Sequence, residues 1–190
     1  MNLFCRKADF YIITSFTPAK ITKKNSVIVP PIIRKEIKSL NPRYKNKILV
    51  YLTKKNNSII KQLKKVNEQF VVYGLNKNLV QKNLQFKTKQ TFLSDLKDCK
   101  AIIATAGFTL MSEALYLKKP YLALPLRGQF EQMLNALFLK QAGFGEFSEN
   151  LKATEIESFL QNLENYKIPL KKYNPDYNLI FKTLEKTLKK

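Results

Sequence analysis

Apolar residues along the chain fall into short unbroken runs, separated by polar, lysine-rich stretches. "DFYIITSF" (9–16) and "SVIVPP" (26–31) are β-branched runs closed by turn residues and predict strands. Pro30-Pro31 ends the second, because proline cannot donate to a ladder and restrains the residue before it. "KILVYLT" (47–53), "QFVVYGL" (69–75), "AIIATAG" (101–107) and "PYLALPL" (120–126) are continuous apolar runs, the pattern of strands buried on both faces. "NLQFKT" (83–88) is a weaker strand. Between these runs the apolar spacing becomes helical. Ile59, Ile60, Leu63 and Val66 share one face of a helix over 57–66, and Phe92, Leu93 and Leu96 one face over 91–99. Further helices are predicted over 109–118, 130–142, 153–165 and 176–190.

Strand and helix alternate from about residue 47 to 142, which predicts an α/β fold: a Rossmann-like parallel sheet with helices on both faces. Pro30-Pro31 marks the best boundary. Residues 1–30 read as a short strand remnant and linker, 31–175 as the Rossmann-like domain, and 176–190 as a terminal helix. The strand over 9–16 has no evident neighbour. The terminal helix is amphipathic, with Tyr177, Ile180, Phe181 and Leu184 as its apolar residues.

Composition changes the picture in three ways. Lys plus Arg total 34 against 14 Asp plus Glu, a formal charge of +20, which would draw the chain to phosphates of a nucleotide, a nucleic acid or an anionic lipid surface. The basic residues are mostly scattered lysines, so a general compositional bias competes with a dedicated partner. The chain has no histidine, which removes the usual general base and the usual zinc ligand and excludes Ser-His-Asp and Cys-His nucleophilic sites. Two cysteines, Cys5 and Cys99, without a pairing motif are expected as reduced thiols in the cytoplasm. No secretory leader is visible, and no window approaches the roughly 18 apolar residues that a membrane span requires.

In open α/β sheets ligands bind at the carboxyl ends of the strands, and two strand ends here carry unusual chemistry. In "AIIATAGFTLMSEA" a strand runs through Ala106 and Gly107 into a helix beginning at Thr109 or Leu110. Small residues there let a ligand approach the backbone, and the free N–H groups of the new helix favour phosphate. Equally, Gly107 could serve only to turn the chain. Glu113 lies one place beyond a capping-box position relative to Thr109, on a face separate from Leu110, Ala114 and Leu117. It could accept two hydroxyl hydrogen bonds from a ribose diol, or simply favour the helix dipole. In "LPLRGQFEQMLNALFLKQAGFG" Gly128 turns the chain into a helix expected to bury Phe130, Met133, Leu134, Leu137 and Phe138. Glu131 and Asn135 share its other side, with Gln132 beside them. These polar groups suit sugar hydroxyls. A solvated face would serve as well, but the chain carries no lysine between Gly128 and Leu139.

"GFTLMSEALYLKKPYLALPL" followed by "GQFEQMLNALFLKQAGFG" resembles the donor-binding half of the GT-B glycosyltransferases. It is most similar to the archaeal and bacterial branch with a GFxTxSEA and a GQxEQxxNA motif, related to the lipid-linked peptidoglycan GlcNAc transferase and to family 28 enzymes. The resemblance extends back through "KILVYL" and "VIVPPIIRKEI" and covers most of residues 10 to 145. It implies that the backbone of Gly107, Phe108 and Thr109 meets the nucleotide diphosphate and that Glu113 holds the ribose hydroxyls of a uridine nucleotide. Glu131 and Gln132 would face the donor sugar with Gln129 nearby, Gly128 would shape the loop, and Asn135 would tie helix to loop. Ala106 stands where the family has a second glycine, and its methyl group is expected to crowd the diphosphate.

The resemblance further implies hexosyl transfer from a UDP-sugar to a glycan or lipid-linked acceptor in cell envelope glycan synthesis, with no metal and no cofactor beyond the donor. Family members are roughly twice this length, and their N-terminal half binds the acceptor and supplies the catalytic base. That half is expected on a partner chain or a longer gene product, since only residues 1 to about 25 look like its remnant. A cytoplasmic protein with a peripheral contact at the inner membrane face is the expectation, with no specific nucleic acid. A UDP-sugar epimerase of the same fold and a basic nucleic-acid-binding module are the alternatives. The first usually carries an SGGxxEE loop where this chain has AGFTLMSE; the second calls for clustered arginine and exposed aromatic residues.

Overall fold

The computed structural model describes residues 8–18 and 20–189. Cys5 lies outside them. The chain divides into two compact units: residues up to Ile33 together with Asn174 onward, and Arg34–Tyr173.

In the larger unit β3 (Ile48–Tyr51), β4 (Phe70–Tyr73), β5 (Leu79–Gln81), β6 (Leu84–Phe86), β7 (Ala101–Thr105), β8 (Tyr121–Leu124) and β9 (Gly145–Phe147) form one sheet in the order β5-β6-β4-β3-β7-β8-β9. Every pairing is parallel except β5 with β6. The reason is visible in the strands. Ile48, Val50, Phe70, Val72, Ala101, Ile103, Leu122 and Leu124 point to one face and join a single buried cluster. The alternate residues Leu49, Val71, Tyr73, Ile102, Ala104, Tyr121 and Ala123 are buried as well. Strands covered on both sides read as unbroken apolar runs.

The connecting helices are α1 (Lys35–Lys38), α2 (Asn57–Leu63), α3 (Phe92–Asp98), α4 (Phe108–Tyr116), α5 (Phe130–Gln141), α6 (Ala153–Gln161) and α7 (Leu163–Lys172), with a 3₁₀ turn at Lys89–Thr91. The sheet grows outward from β3 in both directions, so its topological switch lies between β3 and β7.

Several expectations are corrected. The helix expected over 153–165 breaks at Asn162 into α6 and α7, and α7 carries Pro169 within it. The weak strand near 84 is one arm of a hairpin whose other arm, β5, has no apolar alternation. β9 follows Gly143, and a Cβ at its first residue, Gly145, would lie 1.8 Å from the Tyr121 carbonyl oxygen, so close parallel pairing demands glycine. On α5 the buried residues are Asn135, Ala136 and Leu139, whereas Phe130 is 80% and Leu137 47% exposed. The helix is rotated from the expected stripe because Asn135 turns inward to a backbone carbonyl.

In the smaller unit β1 (Tyr11–Thr14) pairs in parallel with β2 (Ser26–Val29), from Tyr11 opposite Ser26 to Thr14 opposite Val29. The strand over 9–16 therefore does have a neighbour, one supplied by the run just before Pro30. The terminal helix α8 (Leu179–Leu188) belongs to this unit. Among the described residues, no helix is long and apolar enough to cross a membrane.

Candidate functional site

At the carboxyl end of β3, β7, β8 and β9 lies a cleft of about 670 Å³, within the range usual for small-molecule sites. Thr105 ends β7 at its base, and Leu124, Pro125 and Leu126 form one wall. Thr53 and Asn56 come from the loop between β3 and α2, and Ser58 from the first turn of α2. Lys54, Lys55, Arg127 and Lys152 ring the cleft against one acid, Glu149, so its field favours an anion. The β3–α2 loop was not picked out from the sequence. Its signal was there: "TKKNNS" follows the first strand of the alternating region at a carboxyl end.

β7 runs through Ala106 and Gly107 into α4. Gly107 takes the N-cap position with φ −70° and ψ 131°, and no side chain caps the helix. The positive end of the α4 dipole thus faces the carboxyl edge of the sheet with no side chain over it. A Cβ built on Gly107 would meet nothing within 4 Å. Thr109 is exposed and Phe108 half-buried. Ala106 is fully buried, so its methyl group packs inside rather than standing in the loop; the expected crowding has no basis in the position of that side chain.

Glu113 is only 2% exposed, not on a solvated face. Arg34 holds both its oxygens: Nε donates to Oε1 at 2.5 Å and Nη2 to Oε2 at 2.9 Å. Such a two-point pair fixes a carboxylate in orientation as well as in charge. The carboxylate also raises the guanidinium's pKa. Arg34, half exposed and 79 positions away in the chain, was not anticipated, and no local pattern links the two.

The second segment is tied to the first by Asn135. Its Nδ2 donates to the Ala106 carbonyl at 3.1 Å, and the residue is buried. At the start of α5, Gln132 accepts from the Leu126 N–H at 3.1 Å and donates to Gln129 Oε1 at 2.5 Å, so both amides brace the turn beside the cleft. Gly128 sits in that turn with φ +79°, a left-handed conformation that favours glycine. Glu131 is exposed in the first turn of α5. None of the expected donor residues lines the cleft itself: Asn135, within α5, joins that helix to the β7–α4 turn through Ala106, Gln129 and Gln132 brace the β8–α5 turn, and Glu113 lies deeper in α4 against Arg34.

A model of the family described as glycosyl transferase family 1 matches residues 2–164. The chain belongs to that family. One similar protein of glycosyl transfer is a UDP-N-acetylglucosamine–N-acetylmuramyl-(pentapeptide) pyrophosphoryl-undecaprenol N-acetylglucosamine transferase of Bacillus cereus. It is 31% identical over 88 residues, covering 38% of this chain and 25% of the relative. Among solved structures, the spinosyn forosaminyltransferase SpnP superposes with a TM-score of 0.65 at 14% identity, covering 94% of this chain and 55% of that one. Phytolacca americana UGT2, solved with UDP-2-fluoro-glucose and pterostilbene, gives 0.64 at 13% identity, covering 87% and 48%. At these identities the likeness is one of fold: this family 1 member has the α/β architecture of a GT-B half-domain. It spans about half the length of these solved relatives.

Proposed function

We propose that the chain binds a UDP-sugar at the carboxyl end of the seven-stranded sheet and presents it for hexosyl transfer. The acceptor, a glycan or lipid-linked sugar in cell envelope synthesis, would be held by a separate acceptor-binding half, beside a membrane. The branch resembling family 28 enzymes fits this reading.

Gly107 carries it. Its backbone angles are ordinary and a side chain there would meet no neighbour, so neither the fold nor the turn calls for glycine. A diphosphate lying against the uncapped start of α4 would. The backbone of Gly107, Phe108 and Thr109 then faces the diphosphate, and the cationic rim of the cleft adds to the charge stabilisation as the leaving group departs. Glu113 takes the ribose, whose hydroxyls would donate to its carboxylate in place of the half-exposed Arg34 that now covers it. Glu131, with Gln129 and Gln132, faces the sugar. In transfer, the acceptor oxygen attacks the anomeric carbon, the carbon–diphosphate oxygen bond breaks, and a base takes the acceptor proton. In this reading that base belongs to the acceptor-binding half.

Calorimetry with UDP, UDP-GlcNAc and ADP tests the reading. UDP and UDP-GlcNAc should bind, ADP more weakly, and the isolated chain should transfer nothing. Glu113→Gln should weaken UDP by about 1.5–3 kcal/mol. Equal or absent binding of all three nucleotides would remove the donor site; an unchanged UDP affinity in the variant would leave Glu113 as a structural partner of Arg34 alone.

A further inference from the structure

On the opposite side of α2 from the donor cleft, with which it shares Lys55, the β5–β6 hairpin and the helix enclose a groove of about 610 Å³. Lys55, Lys61, Lys64, Lys65, Lys77 and Lys82 line it, and no acidic residue does. Its floor is apolar, made by Ile60, Leu75 and Phe86. Two of the lysines are used internally: Lys64 Nζ donates to Gln81 Oε1 at 3.0 Å and Lys82 Nζ to the Lys64 carbonyl at 3.1 Å. Asn83 completes the attachment, with Nδ2 in reach of the carbonyls of Leu63, Val66 and Glu68 at 2.8–3.1 Å. The hairpin is thus bolted to the end of α2. Lys61, Lys65 and Lys77 are exposed and form no ion pair with any described residue. On the edge strand β5, between Lys77 and Lys82, Leu79 is 38% exposed and shares the groove's face with Gln81 and Phe86, while Val80 points to the opposite face with Gln85.

We infer that this face docks the chain onto an anionic phospholipid surface. Unpaired ammonium groups on a rigid support meet the headgroup phosphates, and Leu79, on the groove's face of β5, enters the boundary above the acyl chains, a mixed basic and apolar contact suited to a membrane interface. The residues favour lipid over nucleic acid: the cations are all lysine, with no arginine fork for a base edge, and the aromatic ring, Phe86, is buried where no base could stack. The inference builds on the membrane-proximal part of the proposed function and names the surface responsible; it does not depend on the donor site.

The test is cosedimentation of the full chain with vesicles of phosphatidylglycerol and phosphatidylcholine, and of phosphatidylcholine alone, at low and high salt. Two triple variants with the same change in net charge are compared: Lys61→Glu, Lys65→Glu, Lys77→Glu in the groove, and Lys171→Glu, Lys172→Glu, Lys186→Glu elsewhere. Circular dichroism and melting confirm that each folds. Each groove lysine is worth about fivefold in partitioning, so the groove triple should lose on the order of 100-fold on anionic vesicles and the other triple far less. Leu79→Ser should weaken binding at high salt more than at low salt. Equal losses in the two triples would overturn this surface while leaving a diffusely attracted membrane protein. Failure of the unaltered chain to bind anionic vesicles would overturn both, leaving the lysines as guards of an open sheet edge. Displacement of vesicles by a stoichiometric amount of duplex RNA would transfer the surface to nucleic acid.

Discussion

Gly107 and Gly145 both border strands of the central sheet, yet they are glycine for different reasons. At Gly145 a side chain would collide with the backbone of Tyr121; at Gly107 it would meet open space. Gly145→Ala should therefore destabilise by about 1–3 kcal/mol or more in chemical denaturation, while Gly107→Ala stays within about 1 kcal/mol of the parent and loses UDP affinity in calorimetry. A large stability loss at Gly107 would make it a folding residue. Lys119 carries a second prediction. It is fully buried, with Nζ donating to the carbonyls of Arg43 and Cys99 and lying 4.1 Å from the Tyr44 ring centre. Burial pulls its pKa from 10.5 down to about 8. The folded state then binds fewer protons than the unfolded one between these values, so stability rises with pH across that window. Burial also pushes the Cys99 thiol from 9.0 up to about 12, which lowers stability above pH 9. Between pH 8 and 9 the lysine dominates, joined by Lys118, whose pKa burial also lowers, and partly opposed by the onset of Cys99 ionisation in the unfolded chain: stability should rise by up to about 1 kcal/mol, and Lys119→Met should flatten most of that rise in thermal melts. Neither the burial of Lys119 nor the Arg34–Glu113 pair was legible in the sequence, because each is made by parts of the chain far apart in order.

Elements were legible where burial imposed a pattern. The runs at 47–53, 69–75, 101–107 and 120–126 each contain a central strand because both faces are covered. β5 and β9 escaped notice for the converse reason: three-residue edge strands, one fully exposed, leave no apolar run. The rotation of α5 shows a different limit. Its aliphatic residues are spaced for more than one stripe, and the Asn135 hydrogen bond to Ala106 decides between them. Asn135→Ala would leave that buried carbonyl unpaired, so equilibrium unfolding should show a loss of about 1–3 kcal/mol. It should also loosen the join between the β7–α4 and β8–α5 turns, seen as faster amide exchange at Gly107 and Phe108. A change confined to α5 would mean that the two turns hold their places independently.

At the scale of the whole molecule, the chain leaves the smaller unit at Ile33 and returns to it at Asn174, so the larger unit is an uninterrupted stretch set within a divided one. Synthesis runs from the N-terminus, and units fold as their residues become available. The seven-stranded sheet has all its strands once residue 147 has left the ribosome. The smaller unit begins with only β1 and β2, and a two-stranded sheet is marginal in water by itself; its remaining described element, α8, follows the larger unit in the chain. The smaller unit is therefore completed only after the larger one has all its strands: β1 and β2 wait for α8, exposed during that interval to chaperones and proteases.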